Sequence, residues 1–89
     1  MDLGLTGKRI LVTGGSKGIG RGITQALLEE GAIVTICARN PDGLATAATE
    51  LSALGTICHR AADMAVEGDP TALVEWAAEQ MGGLDIVVS

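Results

Sequence analysis

The apolar residues of this chain fall into short continuous runs that alternate with segments of helical spacing. Short runs rich in Val and Ile are typical of strands that are buried on both faces. Such runs cover Arg9–Thr13, Ile33–Ala38 and residues 56–62 and 84–88. Apolar positions three and four residues apart predict helices over residues 18–30, 41–54 and 69–81. The pattern therefore predicts an α/β fold with the element order βαβαβαβ.

Each predicted helix has an apolar stripe and a recognisable stop or start. Glycines follow the helices at Gly31, Gly55 and Gly82, and Asn40-Pro41 is a typical N-terminal cap. The predicted inward-facing positions are Ile19, Ile23, Ala26 and Leu27, then Leu44, Ala47, Ala48 and Leu51, then Leu73, Val74, Ala77 and Met81. Strands that alternate with helices form a parallel sheet through right-handed crossovers. The pattern ends on a strand, so we expect a Rossmann-type sheet that is truncated after its fourth strand, with one edge and part of one face uncovered.

The turn between the first strand and the first helix is rich in glycine. It reads Thr13-Gly14-Gly15-Ser16-Lys17-Gly18-Ile19-Gly20, which is T-G-x-x-x-G-x-G rather than the common G-x-G-x-x-G. A strand that turns through glycines into a helix directs backbone N–H groups and the helix dipole at one point, which suits a dinucleotide pyrophosphate. We expect Gly14 to permit the tight turn, Gly18 to let the backbone approach the phosphates, and Gly20 to let helix and strand pack closely.

With this motif in place, the chain resembles the short-chain dehydrogenase/reductase family over essentially all of its length. Three further segments match: Gly31-Ala32 before the second strand, Asp63-Met64 after the third, and residues 83–89 as the fourth strand. The resemblance implies that residues 1–89 are the N-terminal dinucleotide-binding part of a single Rossmann-type domain. It also implies that the Asp63 side chain reaches the adenine amino group, with the backbone of Met64 beside it. The alternative for Asp63 is a loop residue that caps the turn before Asp69.

Two basic residues stand at positions that the family uses to choose its cofactor. An arginine at the tip of the second strand accommodates the 2′-phosphate of NADP, where an acid would bind the ribose hydroxyl of NAD. Ala38 occupies the acid position, Arg39 follows it, and Lys17 precedes Gly18. Solvated surface charges are the alternative, but the pair favours NADP(H). The predicted cofactor-binding set is Gly14, Ser16, Lys17, Gly18, Ile19, Gly20, Arg39, Asn40, Asp63 and Met64. Ser16 is expected to supply a hydroxyl, and Ile19 its backbone N–H while its side chain packs inward.

The catalytic groups of the resembled family are absent from these 89 residues. Reduction of a carbonyl needs a proton donor, which the family supplies through Tyr-x-x-x-Lys with a Ser and an Asn, and this chain contains no tyrosine. One hypothesis is therefore the NADP(H)-binding part of an oxidoreductase that acts on a hydroxyl or carbonyl compound, inactive as the 89 residues alone. The alternative is a non-catalytic, stand-alone nucleotide-binding or regulatory module. A downstream Asn-Ala-Gly turn and a later Tyr-x-x-x-Lys would favour the first.

Composition narrows the partners further. A net charge of −5 argues against nucleic acid as a partner. We expect no signal peptide at Met1-Asp2-Leu3-Gly4 and no membrane span, and therefore a cytoplasmic protein. Cys37 and Cys58 are expected to be reduced, buried thiols on neighbouring strands. We expect no metal at His59 and a solvated side chain at Arg60. The resemblance implies a small-molecule substrate and a homo-oligomeric full-length protein.

Overall fold

The computed structural model describes residues 4–89, so the predicted absence of a leader at Met1-Asp2-Leu3 lies largely outside the described residues. Strands and helices alternate as the sequence predicts. The elements are β1 (Arg9–Thr13), α1 (Gly18–Glu29), β2 (Ile33–Ala38), α2 (Pro41–Leu51), β3 (Ile57–Ala61), α3 (Asp69–Met81) and β4 (Ile86–Val88). The predicted element order is thus confirmed, with shorter ends for α2, β3 and β4.

All four strands form one parallel sheet in the order β3-β2-β1-β4. Ile10, Leu11 and Val12 of the central strand β1 are almost completely buried, because β1 has a strand on each side and a helix layer on each face. At the edge, Val87 of β4 is 51% exposed. The sheet is Rossmann-type, and the carboxyl ends of its strands lie at one edge.

The helices cover both faces of the sheet. Leu28 of α1 and four residues of α2 pack with Ile10, Val12, Val34 and Ile36 on one face. Three residues of α3 pack with Leu11 and Cys37 on the other face. The predicted inward face of α2, which is Leu44, Ala47, Ala48 and Leu51, is confirmed.

The buried face of α1 differs from the prediction. Ile19 is 85% exposed, and Ile23 and Ala26 are also exposed, whereas Thr24 and Leu28 are buried. Leu27 is partly buried and packs against the core as predicted, but the rest of the stripe is displaced by one residue, or about 100° around the helix. Thr24 can be buried without cost to its hydroxyl because Oγ1 donates to the carbonyl oxygen of Gly20 at 2.9 Å. An apolar count alone cannot register a face built from a glycine and an internally satisfied threonine.

The ends of the other elements differ in smaller ways. Val74 of α3 is 40% exposed, so the inward prediction was wrong for this residue, and the buried positions are Leu73, Ala77 and Met81. The helix α2 ends at Leu51, three residues before the predicted end. Leu54 lies in the turn that follows, and its amide donates to the Leu51 carbonyl oxygen at 2.9 Å. The strand β4 begins after Asp85, whose carboxylate binds the side chain and the amide of Arg9.

Candidate cofactor-binding site

A cleft of about 560 Å³ lies at the carboxyl ends of β1, β2 and β3. Its walls come from the three connections that follow these strands. They are lined by Thr13, Gly14, Ser16, Lys17, Cys37, Ala38, Arg39, Asn40, Ala62, Asp63, Met64 and Ala65. Ligands of open parallel sheets bind in this place, outside the carboxyl ends of the strands.

The glycine loop forms one wall of the cleft through Gly14, Ser16 and Lys17, and Gly18 follows at the start of α1. Gly14 and Gly18 have φ angles of +72° and +61°, and a Cβ at either position would meet no other atom within 4 Å. A side chain there would be strained and would fill the space through which a ligand approaches the backbone. The Gly14 amide donates to the carbonyl oxygen of Cys37 at 2.9 Å and fixes the loop against the end of β2.

Two other glycines let α1 and the loop pack against the sheet. A Cβ on Gly20 would overlap the carbonyl oxygen of Gly14, so close packing requires glycine there. A Cβ on Gly15 would lie 2.5 Å from Cγ2 of Ile36, although the sequence motif does not include Gly15. A pair of glycines directly after a strand could have indicated this contact. Gly14 permits the turn, and Gly15 lets the loop pack against Ile36.

The N-terminus of α1 lacks a side-chain cap from its own N-cap residue. Its N-cap residue, Lys17, makes no side-chain cap hydrogen bond, and its first turn holds no acidic residue. In contrast, Asp42 lies in the first turn of α2 and Asp69 in that of α3. The first N–H groups of a helix and its dipole favour an anion, and in α1 no acidic side chain of its own turn competes for that place.

Lys17 and Arg39 line the cleft from opposite connections, and neither forms an ion pair within residues 4–89. The other arginines are engaged. Arg9 pairs with Asp85 at 3.0 Å, and Arg21 approaches Glu50 at 3.4 Å. Arg60 is exposed, as expected, and its guanidinium also lies over the Trp76 ring at 5.6 Å from the centroid. The two cations of the cleft therefore remain available to an anionic ligand.

Asn40 and Asp63 each use one side-chain oxygen to hold a turn. Oδ1 of Asn40 accepts from the amides of Asp42 and Gly43 at 2.9 and 3.3 Å. Oδ1 of Asp63 accepts from the Ala65 amide at 2.9 Å, and the Asp63 amide donates to Oδ2 of Asp69 at 3.0 Å. The turn-forming alternative for Asp63 thus describes part of its role, and a cofactor contact through its other oxygen stays a prediction.

The structure brings most of the predicted cofactor-binding residues together. Those that line the cleft are Gly14, Ser16, Lys17, Arg39, Asn40, Asp63 and Met64. Gly18, Ile19 and Gly20 form the first turn of α1 beside it and do not line it. The Ile19 side chain points to solvent instead of packing inward, because Gly20 and Thr24 occupy the face toward the loop and the sheet. The cleft is also lined by residues outside the predicted set, at or next to the strand ends: Thr13, Cys37, Ala38, Ala62 and Ala65.

The cysteines make no disulfide. Cys37 is buried beside the cleft, and burial raises the pKa of its thiol. Cys58 is only half-buried, because β3 is an edge strand, so the expectation of burial was wrong for this residue.

No group of three or more potential ligand side chains is arranged for a metal among residues 4–89. Over the same residues, no helix has the length and apolar character to cross a bilayer.

Fold and cleft together define the class of a Rossmann-type α/β protein with a cleft at the carboxyl ends of its strands. The chain belongs to the short-chain dehydrogenase family, whose family model matches residues 8–89. The family uses NAD(P), and the resemblance seen in the sequence is thereby confirmed.

Individual relatives cover nearly all of this chain. A rhamnolipid-biosynthesis 3-oxoacyl-[acyl-carrier-protein] reductase of Pseudomonas aeruginosa is 46% identical over 85 residues, which are 96% of this chain and 33% of that protein. The Pseudomonas aeruginosa RhlG/NADP active-site complex superposes with a TM-score of 0.86 at 46% identity, over 93% of this chain and 34% of that one. An NADH-dependent reductase A1-R′ complexed with NAD has a TM-score of 0.84 at 30% identity, over 94% of this chain and 36% of that one. The chain thus spans about a third of the length of these proteins.

Proposed function

We propose that residues 1–89 form the N-terminal, NADP(H)-binding part of a short-chain dehydrogenase/reductase. The full-length protein would transfer hydride between the nicotinamide and a small molecule that carries a hydroxyl or carbonyl group. Its similarity to several oxidoreductases supports the reaction class. From the family resemblance alone, we further propose a cytoplasmic homo-oligomer.

One observation carries the choice of NADP(H): the only two cations that line the cleft, Lys17 and Arg39, have no acidic partner within residues 4–89. The likeness to known structures does not decide the cofactor, because one similar structure holds NADP and another NAD. A dianionic 2′-phosphate suits a planar guanidinium and a second cation, which can bind its oxygens through charge-assisted hydrogen bonds. NAD has a hydroxyl in place of this phosphate, so it offers the two cations no second anionic group beyond the pyrophosphate.

The remaining residues of the cleft fit the rest of a dinucleotide. The open backbone at Gly14 and Gly18 and the uncapped N-terminus of α1 suit the pyrophosphate, with the Ile19 amide as a donor. Gly20 acts through packing, and Ser16 would offer a hydroxyl. For Asp63 and Met64, which line the cleft, we propose a contact with the adenine. Asn40 completes the turn that carries Arg39.

The chemistry of hydride transfer divides between this chain and the rest of the protein. When bound, NADPH supplies the hydride. We propose that the proton for the developing alkoxide comes from elsewhere in the protein, since the sequence contains no tyrosine and the cleft shows no hydrogen-bonded nucleophile–base pair among residues 4–89. We therefore expect the 89 residues alone to bind the cofactor without catalysing the reaction.

Direct binding of NADPH and NADH to the full-length protein tests the cofactor choice. Wild-type protein should bind NADPH more tightly, and Arg39→Ala or Lys17→Ala should weaken NADPH about tenfold each, the loss typical of one charge-assisted contact. The NADH dissociation constant should change less than about twofold. Lys8→Ala is the matched control, because it removes the same charge at the other end of β1, away from the cleft. Equal affinities for the two cofactors in wild-type protein would contradict the proposal.

A further inference from the structure

The turn between β2 and α2 is held by a side chain that faces the helix. Asn40 adopts extended backbone angles, φ −87° and ψ 108°, and its Oδ1 accepts from two amides of the first turn of α2. The Asn40 carbonyl oxygen accepts from the Leu44 amide at 3.1 Å. Asn40 therefore determines where the chain leaves the strand and enters the helix.

Arg39 lies between this cap and a second anchor on the strand side. There, the carbonyl oxygen of Cys37 accepts from the Gly14 amide at 2.9 Å, and that of Ala38 accepts from the Ala62 amide at 3.0 Å. Arg39 itself is exposed and pairs with no acidic group of residues 4–89. Within residues 4–89 no side-chain partner holds the guanidinium, so the Arg39 backbone determines the position from which this side chain reaches the cleft. On the helix side of Arg39, the turn is held by the Asn40 side chain.

We propose that Asn40 is a positioning residue for cofactor selectivity, which acts through its Oδ1 cap by holding Arg39 at the cleft. The inference rests on the proposed NADP(H) function. Oδ1 is already committed to the cap, so the role does not require Asn40 to touch the cofactor. Any residue that caps the helix with a neutral side-chain oxygen should then preserve selectivity, and a residue that cannot cap should lose it.

Three variants of the full-length protein separate this role from its alternatives. Asn40→Ala removes the cap and the amide group, while Asn40→Ser keeps a capping oxygen and loses only the amide nitrogen. Ala45→Gly is the matched control, because it weakens α2 at an exposed position and leaves both the cap and Arg39 in place. The measurement is the dissociation constant of NADPH and of NADH for each variant, beside a denaturation midpoint.

Asn40→Ala should raise the NADPH dissociation constant about fivefold, because a displaced Arg39 would lose part of one charge-assisted contact. The NADH dissociation constant should rise less than about twofold. Asn40→Ser should stay within about twofold of wild type for both cofactors. Ala45→Gly should lower the denaturation midpoint without changing the ratio of the two constants.

Two results would overturn the inference while the proposed function stands. If Asn40→Ser loses NADPH selectivity as Asn40→Ala does, the amide nitrogen contacts the cofactor directly. If Ala45→Gly shifts the ratio as much as Asn40→Ala, the effect is general loss of helix stability. If Arg39→Ala leaves the ratio unchanged, the proposed role of Arg39 fails, and the inference fails with it.

Discussion

Replacing Thr35 by valine is expected to stabilise the fold. Thr35 lies in the middle of β2 and has no solvent exposure, and its Oγ1 has no hydrogen-bond partner within residues 4–89. It is in register with Leu11, so it shares the sheet face that α3 covers. On folding, this hydroxyl loses its hydrogen bonds to water and gains none from the protein. The free energy of unfolding is therefore lower than it would be with an apolar group in the same place.

The magnitude follows from the chemistry of the replacement. Valine has the same branched shape and a comparable or higher strand propensity, and its methyl group needs no partner. Leaving a buried polar group unsatisfied costs about 1–3 kcal/mol. The extra volume of a methyl group in a close-packed site offsets part of this, so we expect a gain of about 1–2 kcal/mol.

Equilibrium unfolding in urea measures the gain. For a slope of about 2 kcal/mol/M, the midpoint should rise by about 0.5–1 M with the slope unchanged. Thr24→Val is the matched control, because Thr24 is equally buried and its Oγ1 donates to the Gly20 carbonyl oxygen at 2.9 Å. That variant should lose about 0.5–1 kcal/mol. If Thr35→Val is less stable than wild type while the control behaves as expected, the claim that the unpaired Thr35 hydroxyl destabilises the fold is wrong.

Two further predictions concern α1 and the link between β1 and the loop before β4. Gly20→Ala should destabilise the fold by about 1–3 kcal/mol, because its Cβ would overlap the Gly14 carbonyl oxygen. Gly22→Ala, which faces open space in the same helix, should stabilise it by about 0.5–1 kcal/mol, and equal effects in urea unfolding would contradict the close approach at Gly20. Hydrogen bonds from the Arg9 side chain and amide lower the pKa of Asp85 from its ordinary 3.8 to about 2. The ionised carboxylate thus stabilises the fold above pH 3.8, and this contribution is lost as the pH falls toward 2. Asp85→Asn should be less stable than wild type at pH 7, with a gap that closes on acidification, and a gap independent of pH would contradict this account.

The sequence predicted the strands and α2 well because their contacts are made by apolar side chains in a regular period. It failed on α1 because the contact there is made by the missing side chain of Gly20 and the satisfied hydroxyl of Thr24. Hydropathy does not register either feature. The contact of Arg60 with Trp76 joins β3 to α3 and depends on how a helix lies over an edge strand, which local pattern does not contain.

The location of the candidate site could be predicted from the sequence, but the role of each residue in it could not. Strand order makes the carboxyl ends of β1, β2 and β3 neighbours, so residues just after these strands had to meet, and most of the predicted set lines the cleft. The sequence did not show which of these residues hold the local structure and which are free to contact a ligand. A residue such as Asn40 matches both a helix cap and a cofactor contact in sequence, and only its hydrogen bonds show that its oxygen serves the helix.

The strand order also bears on which part of a ligand the cleft can contact. The order of strands reverses between β1 and β4, and ligands of such sheets straddle that point. At the reversal, Thr13 Oγ1 donates to the Val88 carbonyl oxygen at 3.3 Å, and every residue that lines the cleft lies on the β1 side of it. The side chains described here therefore face only one half of a ligand that crosses the reversal. Under the proposed function, that half is the adenosine with its phosphates, so variants of Lys17 or Arg39 should change the ratio of NADPH to NADH affinity. The relative kcat/KM for competing substrates should stay constant, since no residue of the cleft reaches the other half.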